Sequence, residues 1–302
     1  MLAQAVDSYL KVRRACGFKL GCQGKLLQSF ARFSDLRRKH YVCSDVAIEW
    51  AGLGSSVPQR ARRLSEVIRF SRYMRAEDPL HELPPPVFGI EKRLRPIPYI
   101  FSQDEIQRFV QAATKIRCHS FRGKTYSTLF ALLACTGLRV SEATALRFDD
   151  MTADGLVIRS TKFRKSRLVP LHETAEAAIN RYLEHRRPFA PYDDHVFISL
   201  QKKPLLPWDV YRTFKTVAKK IGLERKPDPP RPIPHSFRHT FAVRALQSCT
   251  GSRDQITKHM LALSTYLGHC KIHHTYWYLE AVPELMKDIA QRCETFFKGG
   301  HP

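Results

Sequence analysis

His235-Ser236-Phe237-Arg238-His239, Leu267-Gly268-His269 and Thr275-Tyr276-Trp277-Tyr278 lie near the C-terminal end of a 302-residue chain. His235 and Arg238 are three residues apart, so on a helix they share one face. Pro234 fixes the approach to that helix. Phe237, Phe241 and Leu246 form its apolar stripe. The spacing predicts a helix over 235–247 that presents a His/Arg face. Tyr278 follows His269 by nine residues, with a loop-like Lys271-Ile272-His273-His274 between them. Far upstream, Thr136-Gly137-Leu138-Arg139-Val140-Ser141-Glu142 carries a second arginine. Gly137 suits a left-handed helix stop. That leaves Arg139 at the start of the next helix, where its rigid fork can point at a phosphate.

Around these pieces the pattern is mostly helical. In the second half, Ser102-Gln103-Asp104-Glu105 reads as a helix start with acids in its first turn. Helices are expected to about Lys115, over 124–135, 140–146, 173–186, 207–221 and 253–263. An amphipathic helix is expected over 283–297. Leu156–Arg159 and Arg167–Leu171 read as two short strands joined by a polar, basic turn, and Val196-Phe197-Ile198 as a third. The first 80 residues read as four helices, over 3–15, 23–39, 44–51 and 58–75. Between the halves, residues 79–98 hold Pro79, Pro84, Pro85, Pro86, Pro96 and Pro98, a density that no helix continues through. The expected class is mainly α with one small β-sheet (α+β). The domains are residues 1–80, a linker over 81–98 and a second domain over 99–302.

Charge narrows the function class. Lys and Arg number 50 against 28 Asp and Glu, a formal net charge of +22. Such an excess suits a polyanion, because each neutralised phosphate releases counterions. No basic amphipathic helix with an apolar face stands out, so a lipid surface is the weaker reading. Arg60, Arg62 and Arg63 in the fourth helix, and Arg93 and Arg95 in the linker, are candidate DNA-backbone contacts. The eight cysteines are scattered singly and form no C-x-x-C pair, which argues against a zinc ribbon or a disulfide framework and fits a reducing cytosol. No signal peptide and no long apolar run is visible. His259, His269, His273 and His274 lack partners at zinc-ligand spacing, so no metal is expected.

Together, Thr136 to Glu142, Pro234 to Phe241 and Leu267 to Tyr278 resemble the tyrosine site-specific recombinases, the phage-integrase family. The resemblance covers about residues 100–290, and the N-terminal helices are similar to that family's core-binding domain. It implies a catalytic set of Arg139, a hairpin lysine, His235, Arg238, His269 and the nucleophile Tyr278, with Glu142 in support. The family's hairpin motif resembles Lys162-Phe163-Arg164-Lys165-Ser166-Arg167-Leu168-Val169-Pro170-Leu171, which points to Lys162 with Lys165 as rival. Arg164 and Lys165 are also candidate DNA contacts, and Arg159 and Arg167 could belong to the same basic arm. Phe163 stands where the family has glycine. Leu279-Glu280 follows the tyrosine in place of the frequent Thr-His. Tyr276, two residues before Tyr278, would point to a different face.

The implied reaction is transesterification at a DNA phosphodiester through a 3′-phosphotyrosine, with no ATP and no cofactor. The two arginines would clamp the non-bridging oxygens in place of metal ions, and His269 would add a hydrogen bond. Lys162 would protonate the leaving 5′-oxygen, and His235 would act on the tyrosine's proton. Glu142 would orient Arg139 or a neighbouring backbone. The implied partners are double-stranded DNA, further copies of the chain in a synaptic tetramer, and accessory proteins. The implied setting is the nucleoid of a bacterial cytoplasm, with a mobile element as the gene's origin. A non-catalytic DNA-binding protein on the same fold is the alternative. A type IB topoisomerase shares the chemistry but fits the compact basic N-terminal module less well.

Overall fold

A computed structural model describes residues 2–89, 97–116, 120–159, 166–223, 230–249, 252–269 and 271–281. The chain divides into two compact units, Met1–Arg95 and Pro96–Pro302.

In the first unit, four helices, α1 (Leu2–Ala15), α2 (Gly21–Leu36), α3 (Ser44–Gly52) and α4 (Val57–Arg75), enclose a core. That core includes Val6, Leu27, Phe30, Trp50, Val67 and Phe70. The buried face of α1 is Leu2, Val6, Tyr9 and Leu10, whereas Val12 is 46% exposed. Cys43 holds the N-cap position of α3 without a side-chain cap bond, and the Ser44 N–H donates to the Glu82 carboxylate at 2.7 Å. Ser56 caps α4, its hydroxyl accepting from Gln59 N–H. The proline-rich stretch begins docked on this unit. Glu82 N–H donates to Val42 O at 2.8 Å, and Val42 N–H donates to His81 Nδ1 at 3.1 Å.

In the second unit, a capping box built by Ser102 and Glu105 starts α5 (Gln103–Thr114). Then come α6 (Ser120–Thr136), the short α7 (Val140–Thr144), strands β1 (Met151–Thr152), β2 (Gly155–Ile158) and β3 (Arg167–Val169), and helices α8 (Glu173–Phe189) and α9 (Pro207–Lys220). Last among the described elements are α10 (Ser236–Gln247), α11 (Arg253–Leu267) and α12 (His273–Ala281). The strands form an antiparallel sheet in the order β1-β2-β3, with Leu156 opposite Val169 and Ile158 opposite Arg167. The chain is thus mainly helical with one small sheet.

Three local expectations give way. Val196-Phe197-Ile198 is not a strand; Ile198 makes only an isolated bridge with Pro204. All three side chains are buried, so their apolar run reflects core packing. Strand β1, two residues long, left no readable alternation. Lys271–His274 is not all loop, since α12 starts at His273. The 283–297 helix lies outside the described residues.

The core that positions the site is aromatic. Phe237 stacks on Phe101 with centroids 4.7 Å apart and 14° between planes, and meets Phe109 edge-on at 5.4 Å. Phe237 thereby locks the rotation of α10 about its axis. The expected His/Arg face of α10 is presented only in part: Arg238 is 1% exposed, whereas His235 and His239 are half-buried. The helix packs against α6, α11 and α12 at once.

Candidate active site

Two helix ends build the site. Helix α6 stops at Gly137, whose φ of +63° is left-handed; an added Cβ would sit 2.7 Å from the Phe241 ring. Helix α11 stops at Gly268 with φ +64°, where a Cβ would meet the Arg167 guanidinium at 2.9 Å. Both positions therefore require glycine. Carbonyls at a helix C-terminus lack intrahelical partners and carry partial negative charge. Two arginines bind them crosswise. Arg238, from α10, donates through Nη1 to Gly137 O at 2.9 Å and through Nη2 to Leu267 O. Arg139 donates through Nη2 to Gly268 O at 3.2 Å. The three motifs singled out in the sequence are thus joined by named hydrogen bonds, although 129 residues separate Arg139 from Gly268.

Glu142 organises the positive side. It accepts from the Arg139 backbone N–H at 3.0 Å and from Arg139 Nη1 at 2.6 Å. It also takes both terminal nitrogens of Arg167, at 3.1 and 2.8 Å. Arg167 Nε donates to Tyr266 O at 2.7 Å. With its side chain only 9% exposed, Arg167 is an internal brace and not a DNA-facing arm. Burial alone would raise the Glu142 pKa. The hydrogen bonds from Arg167 and Arg139, and their charges, outweigh it and hold the carboxyl at about 2.

That pKa predicts a pH dependence of stability. The folded-state pKa lies below the unfolded value, so the contribution is complete above about 4.5 and is lost as pH falls towards about 2. It amounts to about 3 kcal/mol in order of magnitude. In acid titrations followed by circular dichroism, Glu142→Gln should lose this segment of the stability curve. It should already be less stable at pH 7, because the largely buried Arg167 and the half-buried Arg139 lose their counter-charge.

The nucleophile candidate sits behind this frame. Tyr278, on α12, is 2% exposed, while Tyr276 is 44% exposed. Tyr278 Oη lies 3.0 Å from Nδ1 of His239. The His269 ring lies parallel to the Tyr278 ring, centroids 6.5 Å apart, and His269 Nδ1 pairs with the Thr275 hydroxyl at 2.8 Å. His235 and His239 meet edge-on at 4.6 Å. Burial, then the charges of Arg238 and Arg139, push His235 down to about 4 and His269 down to about 3. Both imidazoles are therefore neutral at pH 7. Burial and the nearby Arg139 charge also lower Arg238, to about 10, and it remains a cation.

A match to the model of the phage integrase family spans residues 100–284. The chain belongs to the tyrosine recombinase, or phage integrase, family. An integrase/recombinase of Sinorhizobium fredii, y4rB, is 37% identical over 305 residues, covering 96% of both chains. Tyrosine recombinase XerD of Caulobacter vibrioides is 30% identical, covering 79% of this chain and 75% of its own. Among solved structures, the Tn1549 transposon integrase in complex with transposon right end DNA aligns over 96% of this chain and 98% of its own. Its TM-score is 0.64 and its identity 18%. A lambda integrase tetramer bound to a Holliday junction aligns over 89% of this chain and 77% of its own, with TM-score 0.61 and identity 17%. Those two share the fold.

This recombinase gathers Arg139, Glu142, His235, Arg238, His269 and Tyr278 at the site. Lys162, Arg164, Lys165, Arg93 and Arg95 lie outside the described residues. Of the N-terminal candidates, Arg62 is exposed. Arg60 donates to Gly54 O at 2.9 Å, and the Arg63 guanidinium lies 4.1 Å over the Trp50 ring. Arg159 pairs with the buried Asp150. Sequence reasoning missed two residues. Arg167 was counted with the basic arm because a sequence displays charge but not burial. His239 was quoted without a role, although its i+4 spacing from His235 put it on the same helical face. Asp193, Asp194 and His195 also converge closely, but Arg186 and Arg147 already neutralise this trio. Among the described residues, no helix is long and apolar enough to cross a membrane.

Proposed function

We propose that this recombinase cleaves and rejoins DNA strands by attack of Tyr278 Oη on a phosphodiester, leaving a 3′-phosphotyrosine and a free 5′-hydroxyl. The observation that carries the reading is the convergence of a buried phenol with two arginines on helix-end carbonyls. Each guanidinium has five N–H donors. The described bonds occupy two on Arg238 and leave others for the non-bridging oxygens of a phosphate. The charge that develops there in the transition state meets donors fixed in advance. His269, neutral and oriented by Thr275, would donate from its other ring nitrogen. His235, also neutral, would donate beside it. Lys162, or its rival Lys165, would supply the proton to the leaving oxygen.

The basic first unit is the core-binding domain in this reading. Exposed Arg62, Arg69 and Arg72 on α4 suit phosphate contacts. Arg93, Arg95, Arg164 and Lys165 belong to the same proposal. The working assembly is a synaptic tetramer on double-stranded DNA, a reading in keeping with the lambda integrase of similar fold, a tetramer bound to a Holliday junction. A mobile element is the proposed origin, in keeping with the transposon integrase likeness. The proposed setting is the bacterial nucleoid.

The test is trapping. The DNA flanking the gene is footprinted to find the bound site, and a nicked duplex of that site is incubated with the protein in EDTA. The expected result is a protein–DNA adduct stable to SDS, formed without ATP. Specific binding with no adduct on that nicked site would favour a non-catalytic DNA-binding protein on the same fold.

A further inference from the structure

We infer that His239 is the base that receives the phenol proton of Tyr278 as the tyrosine attacks. The inference rests on Tyr278 being the nucleophile. His239 Nδ1 stands 3.0 Å from Tyr278 Oη, which is proton-transfer distance. With its proton on Nε2, neutral His239 accepts the phenol O–H. His239 immediately follows Arg238 on α10, so one helical turn would hold both the phosphate clamp and the proton acceptor. Phe237, locked between Phe101 and Phe109, sets the direction of both side chains. Trp277 packs edge-on against the His239 ring with centroids 5.5 Å apart, which limits the ring's rotation. Tyr278 is 2% exposed, so bulk water is a poor alternative base.

The step balances as follows. The phenol proton moves to His239 Nδ1 while the Oη–P bond forms. The P–O5′ bond breaks with its electron pair on O5′, which takes a proton from Lys162 or Lys165. In rejoining, His239 returns its proton to the departing phenolate. No electron is gained or lost overall.

The groups facing this pair are His235 just before α10, edge-on to His239, Arg238 on α10, whose charge acts on Tyr278, His269 after α11, parallel to the Tyr278 ring, and Trp277 on α12, against His239. His235 and His269 are held at about 4 and about 3, so neither gains a proton between pH 5 and 8.

The experiment is a pH profile of adduct formation on the nicked duplex for the unaltered protein, His239→Asn and Tyr278→Phe. Asparagine keeps a polar atom near the Nδ1 position but cannot titrate. The unaltered rate should rise with pH along a one-proton limb. His239→Asn should lose that limb and react about a hundredfold or more slowly at neutral pH. An unchanged limb, or a rate within threefold of the unaltered protein, would overturn the inference. An adduct in Tyr278→Phe would instead overturn the nucleophile assignment on which it rests. A second substrate guards against a distorted site: a strand ending in a 3′-(para-nitrophenyl) phosphate. Its leaving group needs neither Tyr278 nor a proton. His239→Asn should rejoin this strand to a 5′-hydroxyl at the unaltered rate. A hundredfold loss there would assign His239 to packing and overturn the proposed role.

Discussion

Tyr278→Phe is expected to fold, to bind DNA and to form no covalent adduct. Phenylalanine keeps the ring that α10, α11 and α12 pack around, beside Val243, Leu246 and Leu267. The folded state gives up one hydrogen bond, to His239, at a cost of about 1 kcal/mol. Stability and DNA affinity should therefore stay close to those of the unaltered protein. Chemistry should vanish, because phenylalanine offers no oxygen to phosphorus. Thermal unfolding, a binding isotherm and SDS gels on one preparation separate these outcomes. A variant that still forms an adduct would shift the nucleophile to another residue, with the exposed Tyr276 first in line.

Arg238→Lys is the second large effect. Lysine keeps the charge but loses the planar fork that reaches Gly137 O and Leu267 O together. One carbonyl at least is left without its partner, and the remaining ammonium is a single point charge. The cleavage step should slow by about 10²–10³-fold, the scale of removing one fixed donor from a developing charge. Because Arg238 is buried and is proposed to meet one phosphate and not the length of the DNA backbone, affinity should change far less. Single-turnover cleavage at saturating protein tests the split. A variant that binds weakly but cleaves at the unaltered rate once saturated would assign Arg238 to DNA binding.

The glycine stop at Gly137 and the His-x-x-Arg spacing were legible because local geometry writes them into the chain, whereas the helix expected over 253–263 runs on to its stop at Gly268. A left-handed stop needs glycine, and a three-residue interval puts two side chains on one helical face. The helix order in both halves and the β2–β3 hairpin were readable for the same reason. Burial was not. Arg167 and Arg164 look alike in a basic run, yet Arg167 holds the buried Glu142 across 25 residues. Val196-Phe197-Ile198 reads as a strand because apolar β-branched runs serve strands and buried loops equally well. Likewise, His239 gains its meaning only when α12 folds back to bring Tyr278 beside α10.

Peptide mapping of the protein–DNA adduct tests the central claim most directly. After nuclease and protease digestion, mass spectrometry identifies the residue that carries the nucleotide. The account predicts a 3′-nucleotidyl ester on Tyr278 in the peptide that spans α12. A nucleotide on Tyr276, or on any residue other than Tyr278, would contradict it.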